Sequence, residues 1–238
     1  MVKVLKMIIF CTLGSVLATS CLKDSGSRIY AELHSVIKSN MGVMYFSSDD
    51  GIDLYLENGL FNPEWGNEGD RILVGFYYNP ATITENTTKM NITVETLIPI
   101  QTERSALPST VDTVGTGVFL HENSNSNGIA AWASQNYLTA IFLVRYTEAK
   151  KHNFGFIEEP ELFRNDTLFL SMWHNAKEDG KTKTSQSYLA LDLSYYNRYL
   201  SIRDSTVISL KYKAENSYSS GTDEYTYNVM YRRKYNSQ

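Results

Sequence analysis

Histidine is present in this chain, but not at the spacings that metal or acid–base chemistry requires. The four histidines are far apart in the sequence, at His34, His121, His152 and His174. None has a second ligand at metal spacing, and the His121-Glu122 pair lacks the second histidine of the His-Glu-x-x-His zinc motif. We therefore predict no metal site and no cofactor. For His174 we predict a structural role, with its ring bonded to backbone at the end of a strand.

Acidic and glycine-containing segments also fall short of known catalytic and ligand-binding motifs. Asp49, Asp50 and Asp53 could supply oxygen ligands to Ca²⁺, but they lack the EF-hand spacing and its distant glutamate, so a solvated turn is the better interpretation. The Gly-Thr-Gly segment at 115–117 is not followed by the Lys-Ser/Thr pair of a phosphate loop, and no Gly-x-Ser-x-Gly motif occurs. The sequence thus nominates no catalytic residue and predicts a non-enzyme. An envelope enzyme with an unrecognised site is the alternative.

The N-terminus has the three regions of a secretory signal peptide. A cationic start with Lys3 and Lys6 precedes an apolar run at residues 7–17; small residues follow, and Cys21 comes next. The apolar run is shorter than the roughly 17–25 residues of a membrane-spanning helix. Cys21 resembles the lipobox cysteine of bacterial lipoproteins, which carries a diacylglycerol. This resemblance implies that residues 1–20 are removed and that acylated Cys21 holds the chain on the outer membrane, at its periplasmic or cell-surface face.

Loss of the signal peptide limits the chemistry of the mature chain. Cys11 leaves with it, so acylated Cys21 is the one cysteine left, and neither a disulfide nor a thiolate site is expected. Removing Lys3 and Lys6 makes the net charge of −4 more negative by two charges. Because nucleic-acid-binding proteins need a basic face, we expect no nucleic-acid partner. The polar residues 21–28 are predicted to form a tether.

Hydrophobic alternation and turn residues predict a mainly β chain of two domains. Residues 101–113 are polar and contain Pro108, which marks a boundary between an N-terminal domain at 29–105 and a C-terminal domain at 113–236. Successive strands with few helical segments favour an antiparallel sandwich or barrel. Strands are predicted at residues 43–46, 52–56, 71–78, 90–97, 137–146, 167–174, 187–193, 207–214 and 225–231, and a helix or a strand at 29–39.

Short motifs in the second half of the chain resemble a known family. Trp-His-Asn-Ala at residues 173–176 is followed by Asp179-Gly180 and by Leu-Ala-Leu-Asp-Leu at 189–193. This order is similar to that in the C-terminal domain of NigD-like lipoproteins of Bacteroides and relatives. The resemblance implies an N-terminal OB-like β-barrel followed by an antiparallel β-sandwich. The family takes its name from a bacteriocin-associated gene cluster, so a bacteriocin-associated or immunity-type envelope role is a second alternative for the function.

An OB-like barrel offers a strand face on which aromatic side chains can bind a ligand. Five aromatic residues lie in the N-terminal domain where such a face would form; they are Tyr45, Tyr55, Trp65, Tyr77 and Tyr78. The acidic net charge favours a sugar or protein ligand over nucleic acid. The leading hypothesis is therefore a non-catalytic binding module for a glycan, peptide or protein partner, attached to the lipid bilayer through Cys21.

Overall fold

The computed structural model describes residues 28–109, 119–121, 129–147, 152–177, 179–202, 204–216 and 222–232. Within these residues the chain is mostly β-strand, arranged as an N-terminal barrel and two further sheets that form a C-terminal sandwich. This architecture confirms the predicted mainly β fold with an N-terminal barrel followed by a sandwich. The predicted signal peptide, Cys21 and most of the predicted tether lie outside the described residues.

The N-terminal domain is a closed barrel of five strands. The strands are β1 Ile29–Asn40, β2 Val43–Ser48, β3 Asp53–Leu56, β4 Arg71–Tyr78 and β5 Lys89–Pro99. Their order around the barrel is β1-β2-β3-β5-β4, and the barrel closes because β1 pairs antiparallel with both β2 and β4. The segment at 29–39, for which the sequence allows a helix or a strand, is therefore a strand.

Alternation along the strands directs every second side chain into the barrel. The fully buried interior residues include Ile37, Phe46, Leu54, Val74 and Ile92. A 3₁₀ turn at Pro63–Trp65 begins where the side chain of Asn62 accepts a hydrogen bond from the backbone N–H of Glu64. This turn lays Trp65 and Phe61 against Phe46, so that aromatic rings cover one end of the interior.

The C-terminal domain packs two sheets around one core. One sheet has the order β10 Asn153–Arg164, β11 Thr167–Asn175, β13 Ser205–Asn216, β14 Thr222–Arg232, with β7 Phe119–His121 paired to β13. The other has the order β6 Gln101–Glu103, β12 Lys183–Asp192, β9 Tyr137–Tyr146, β8 Ile129–Ser134. Helix α1, Asn197–Leu200, follows β12 after a 3₁₀ turn. The core side chains include Leu138, Phe142, Phe156, Leu170, Leu191 and Leu210.

The long strand pairs of the sandwich run antiparallel, but β6 with β12, β7 with β13 and β11 with β13 pair in parallel. Strand β6 follows the barrel directly, since only Ile100 separates it from Pro99. Ile100 packs with Leu73 of the barrel and Ala190 of the sandwich in a small apolar cluster. Residues 101–103, which were predicted to belong to the barrel domain, thus add a strand to the sandwich.

Two predicted strands coincide with β4 and β9 to the residue, whereas β8 and β10 were not predicted. Strand β10 contains Pro160, which an edge strand tolerates because one side of it has no partner. It also contains Glu158 and Glu159. Glu158 accepts a hydrogen bond from the Tyr196 hydroxyl, and Glu159 accepts one from the Ser171 hydroxyl.

Candidate functional site

The two domains meet at a buried ion pair. Arg71, the first residue of β4, is 1% exposed, and its guanidinium donates from Nη1 to Asp49 Oδ1 at 2.8 Å and from Nη2 to Asp49 Oδ2. Trp132 of β8 donates from Nε1 to the same Asp49 Oδ2 at 2.6 Å, and Arg71 Nε donates to Thr139 Oγ1 at 3.1 Å. A buried charge is stable only when it is paired and hydrogen-bonded, and residues from both domains supply these partners. Asp49, interpreted from the sequence as part of a solvated turn, joins the barrel to the sandwich.

The turn between β8 and β9 contacts the barrel beside this ion pair. Gln135 and Asn136 have positive φ angles of 53° and 65°, as a two-residue hairpin turn of type I′ requires. The side chain of Gln135 accepts a hydrogen bond from Lys38 Nζ at 2.7 Å. It also donates to Ser47 Oγ at 3.2 Å and to the backbone oxygen of Ser48 at 3.1 Å. The hairpin turn therefore fixes the position of the sandwich against β1 and β2.

A groove of about 1310 Å³ lies between the barrel and the sandwich. Strand β1 and the turn after β2 form one wall, and the β8–β9 hairpin, α1 and the end of β14 form the other. Trp132 and Met230 add apolar surface. The charged and amide side chains that line the groove include Glu32, Lys38, Asp50, Asn136, Asn197 and Arg232. A polar ligand would find both donors and acceptors on the two walls.

His34 lies in the wall of the groove next to the ion pair. Its ring packs edge-on against Trp132, with the ring centroids 4.8 Å apart, and its Nε2 is buried with no hydrogen-bond partner in the described part of the chain. Burial, and after it the positive charge of Arg71, lowers the pKa of His34. Burial, and after it the negative charge of Asp49, raises the pKa of Asp50. Both shifts favour the neutral forms of these two side chains in the groove.

The structure brings together two of the five aromatic residues that were predicted to bind a ligand. Tyr45 of β2 and Tyr55 of β3 stack on the outside of the barrel, with ring centroids 5.0 Å apart and an angle of 15° between the rings. Lys89 Nζ lies 5.9 Å from the centroid of the Tyr55 ring. We call Tyr45, Tyr55 and Lys89 the tyrosine patch.

The other three aromatic residues lie elsewhere in the barrel. Trp65 packs edge-on against Phe61, with ring centroids 5.3 Å apart. Tyr77 packs edge-on against Tyr30 at 5.4 Å. Tyr78 is 8% exposed and belongs to the barrel core. The five residues therefore do not form one continuous face, and the binding role of the tyrosine patch stays a prediction.

Two histidines that are 22 residues apart in the sequence meet in the sandwich. His174 Nε2 lies 3.0 Å from His152 Nδ1, and His152 Nε2 lies 3.2 Å from Asp179 Oδ2. Strand pairing explains the contact, because Phe154, two residues after His152, pairs with His174 across β10 and β11. His174 thus contacts a second histidine, a partner that was not predicted from the sequence. In the described ranges, no group of three or more His, Cys, Asp or Glu side chains is arranged to hold a metal ion.

The residues that connect the two domains were not predicted from the sequence. Asp49 and Trp132 are 83 residues apart, so no local pattern links them. Arg71 did give a signal, because it is a charged residue at the start of an apolar strand that ends up buried. A charge in such a position needs a buried partner of opposite sign, and an acidic turn was the available source.

Comparison with known families identifies the C-terminal domain. Residues 121–229 match the model described as the NigD-like C-terminal beta sandwich domain. Among the curated proteins none matches this chain. No helix in the described segments is both long enough and apolar enough to cross a membrane.

Several solved structures share the fold. A NigD-like immunity protein from Bacteroides caccae is 18% identical, with a TM-score of 0.57 over 86% of this chain and 99% of that one. A candidate toxin-related protein from Parabacteroides distasonis is 19% identical, with a TM-score of 0.59 over 86% of this chain and 94% of that one. A candidate lipoprotein from Bacteroides fragilis is 14% identical, with a TM-score of 0.62 over 86% and 99%. These identities are low, so the likeness establishes the fold alone. The match over residues 121–229 identifies the sandwich as a NigD-like C-terminal domain and confirms the predicted resemblance to the NigD-like family.

Proposed function

We propose that this NigD-like chain is a lipid-anchored envelope protein that binds a polar ligand in the groove between its domains and does not act on it chemically. The observation that carries the proposal is the buried network of Arg71, Asp49 and Trp132, which holds the barrel and the sandwich in one arrangement. A preformed site does not have to be ordered when the ligand arrives, which lowers the free-energy penalty of binding. The NigD-like family is not a known enzyme family, which supports a binding role.

The chemistry of the groove favours a carbohydrate as the ligand. Sugar hydroxyls both donate and accept hydrogen bonds. The side-chain amides of Asn136 and Asn197 carry an NH₂ donor and a carbonyl acceptor, so they can bond to such hydroxyls in either direction. Glu32 adds carboxylate acceptors, while Arg232 adds donors. The ring of Trp132, which forms part of the groove lining, offers an apolar surface for the C–H face of a sugar ring.

The tyrosine patch extends this surface along the barrel. Tyr45 lies two residues before Ser47 on β2, so both side chains are on the outer face of the strand. Ser47 accepts a hydrogen bond from Gln135 at the edge of the groove. An oligosaccharide bound in the groove can therefore continue over Tyr45 and Tyr55, and the strand 2–3 face of OB-type barrels is known to bind such ligands.

A glycan array tests the carbohydrate proposal. The chain from residue 21 onward, with Cys21→Ser, is applied to the array together with two binding variants, Asn197→Ala and Tyr55→Ala. We expect each variant to weaken the binding of the captured glycan about tenfold, which corresponds to about 1.4 kcal/mol. Asn86→Ala, in an exposed loop, and Tyr146→Ala, whose ring also has a lysine Nζ 5.9 Å from its centroid, are the matched controls. Equal loss in the controls, or no binding to glycans and no partner in envelope pull-downs, would contradict the proposal.

A protein ligand is the second candidate, with an immunity-type role. The similar fold of the NigD-like immunity protein from Bacteroides caccae supports this alternative. Deletion of the gene in the producing cell should then raise its sensitivity to bacteriocins, and expression of the unchanged protein should restore resistance. Sensitivity that does not change on deletion would count against an immunity role.

We infer that Cys21 anchors the chain in the outer membrane, and this part of the proposal has its own test. Cells fed a labelled fatty acid should incorporate the label into the chain, and Cys21→Ser should abolish the incorporation and release the protein from the membrane fraction. Cys11→Ser is the matched control, because Cys11 lies in the segment that is predicted to be removed. Label retained by Cys21→Ser would refute the anchor. Protease treatment of intact cells then distinguishes the cell-surface face from the periplasmic face.

A further inference from the structure

We propose that the outer face of the barrel carries a second carbohydrate subsite next to the groove, where a sugar ring stacks on Tyr30, and that the ligand is therefore an oligosaccharide. This inference rests on the proposed carbohydrate role of the groove and extends it to the size of the ligand. We call Tyr30 and the underlying Gly75 the Tyr30 platform. Neither residue lines the groove or belongs to the tyrosine patch.

Gly75 makes room for the ring of Tyr30 to lie along the barrel surface. Tyr30 is on β1, and its side chain reaches across β4, so that its hydroxyl end lies over Gly75 and next to Thr96 of β5. A side chain that stood upright on β1, as strand side chains usually do, would not reach these atoms. A Cβ at residue 75 would collide with the Tyr30 hydroxyl and with Thr96 Oγ1, so this position of the ring requires glycine.

Contacts at the hydroxyl and with a neighbouring ring hold Tyr30 in this position. The hydroxyl donates to Glu32 Oε1 at 2.7 Å and lies 3.3 Å from Thr96 Oγ1. The ring packs edge-on with Tyr77, with an angle of 62° between the two rings. Tyr30 is nevertheless 41% exposed. An aromatic ring that is already held in place and open to solvent loses little conformational freedom when a ligand binds to it.

The platform combines apolar surface with hydrogen-bonding groups, as a sugar ring does. The ring of Tyr30 offers apolar surface to the C–H face of a sugar. Glu32 and Thr96 are both exposed beside the Tyr30 hydroxyl. A carboxylate can accept about four hydrogen bonds, and a threonine hydroxyl both donates and accepts, so these two side chains can also bind sugar hydroxyls. The platform therefore favours the same class of ligand as the groove.

Strand β1 connects the platform with the groove. Tyr30, Glu32 and His34 alternate onto the outer face of β1, and the last two line the groove. Four residues of strand at about 3.4 Å each place Tyr30 about 14 Å from His34. This distance exceeds the length of one sugar ring, so a single sugar contacts either the groove or the platform, whereas an oligosaccharide contacts both. Binding to the second subsite is then intramolecular, which raises the overall affinity.

The dependence of affinity on chain length tests the second subsite. The chain from residue 21 onward, with Cys21→Ser, is titrated by calorimetry with glucan, mannan and N-acetylglucosamine oligomers, each from monosaccharide to hexasaccharide. In a series that binds, we expect the hexasaccharide to bind at least about tenfold more tightly than the shortest member that binds. Tyr30→Ala should reduce this ratio of affinities about tenfold, whereas Tyr30→Phe, which keeps the ring, should retain most of it. Tyr146→Ala is the matched control and should leave the ratio unchanged.

A purely structural role of Tyr30 gives a different result. An aromatic ring that covers a strand glycine also stabilises a sheet without any ligand. A loss of folded protein lowers the number of binding sites equally for short and long oligomers, so the affinity ratio does not depend on the stability of the variant. A ratio that Tyr30→Ala leaves unchanged, or a parent affinity that does not rise with chain length, would overturn the second subsite and leave the groove proposal standing. If no oligomer binds to the parent, the carbohydrate role of the groove fails and the second subsite fails with it.

Discussion

The Asp49→Ala substitution tests whether the buried ion pair holds the barrel and the sandwich together. It removes the carboxylate that accepts hydrogen bonds from Arg71 and Trp132. The guanidinium of Arg71 remains behind, and at 1% exposure it has little contact with water. Breaking one partner of a buried pair destabilises a protein by about 3–5 kcal/mol, because an uncompensated charge is left in the interior. Since the Asp49 side chain is 14% exposed, water can partly replace it, and we expect the lower value of about 3 kcal/mol.

Urea unfolding, followed by circular dichroism and tryptophan fluorescence, measures this loss. With a slope of about 1–3 kcal/mol per molar urea, it should lower the midpoint by about 1 M or more. The neighbouring Asp50 provides the control, since Asp50→Ala leaves the contacts of Asp49 to Arg71 and Trp132 in place and should stay within about 0.5 kcal/mol of the parent. Combining Asp49→Leu with Arg71→Met should recover much of the loss, because apolar residues then replace both charges. A loss below about 1 kcal/mol, or an equal loss in Asp50→Ala, would refute the reasoning.

Three further substitutions test individual contacts. Trp132→Phe removes the indole donor of the interface and should lower the free energy of unfolding by about 1–3 kcal/mol in the same urea assay. Gly75→Ala places a methyl group against Thr96 Oγ1 and the Tyr30 hydroxyl, so it should destabilise the barrel by about 1–3 kcal/mol, and less in a Tyr30→Ala background. His34 has a lowered pKa in the folded protein, so its contribution to stability is present above pH 6.5 and declines as the pH falls through the folded pKa. His34→Gln should therefore reduce the loss of stability between pH 6.5 and 5 by up to about 1.4 kcal/mol per pH unit, and an unchanged pH dependence of the urea midpoint would contradict this.

Strand positions were predictable where the local sequence defines both ends of a strand. Strand β4 is an apolar run that follows Asp70 and stops at Asn79-Pro80, and the prediction matched it to the residue. Strand β10 was missed because Pro160 and two glutamates resemble a loop. The edge position of the strand accommodates Pro160, and hydrogen bonds from Ser171 and Tyr196 accommodate the two glutamates. These features depend on the assembled sheet, so the sequence of the segment alone does not reveal them.

The contacts between distant segments were not predictable, because each partner looks ordinary in its own surroundings. Asp49 belongs to a turn-forming Asp-Asp-Gly segment whose usual interpretation is a solvated loop. It is half-buried because the hairpin at Gln135 and Asn136 brings Trp132 over it. The His152–His174 contact likewise depends on the register of β10 and β11, and histidines at a spacing of 22 residues match no metal motif. Local sequence patterns therefore predict the fold, but not the contacts that join distant segments.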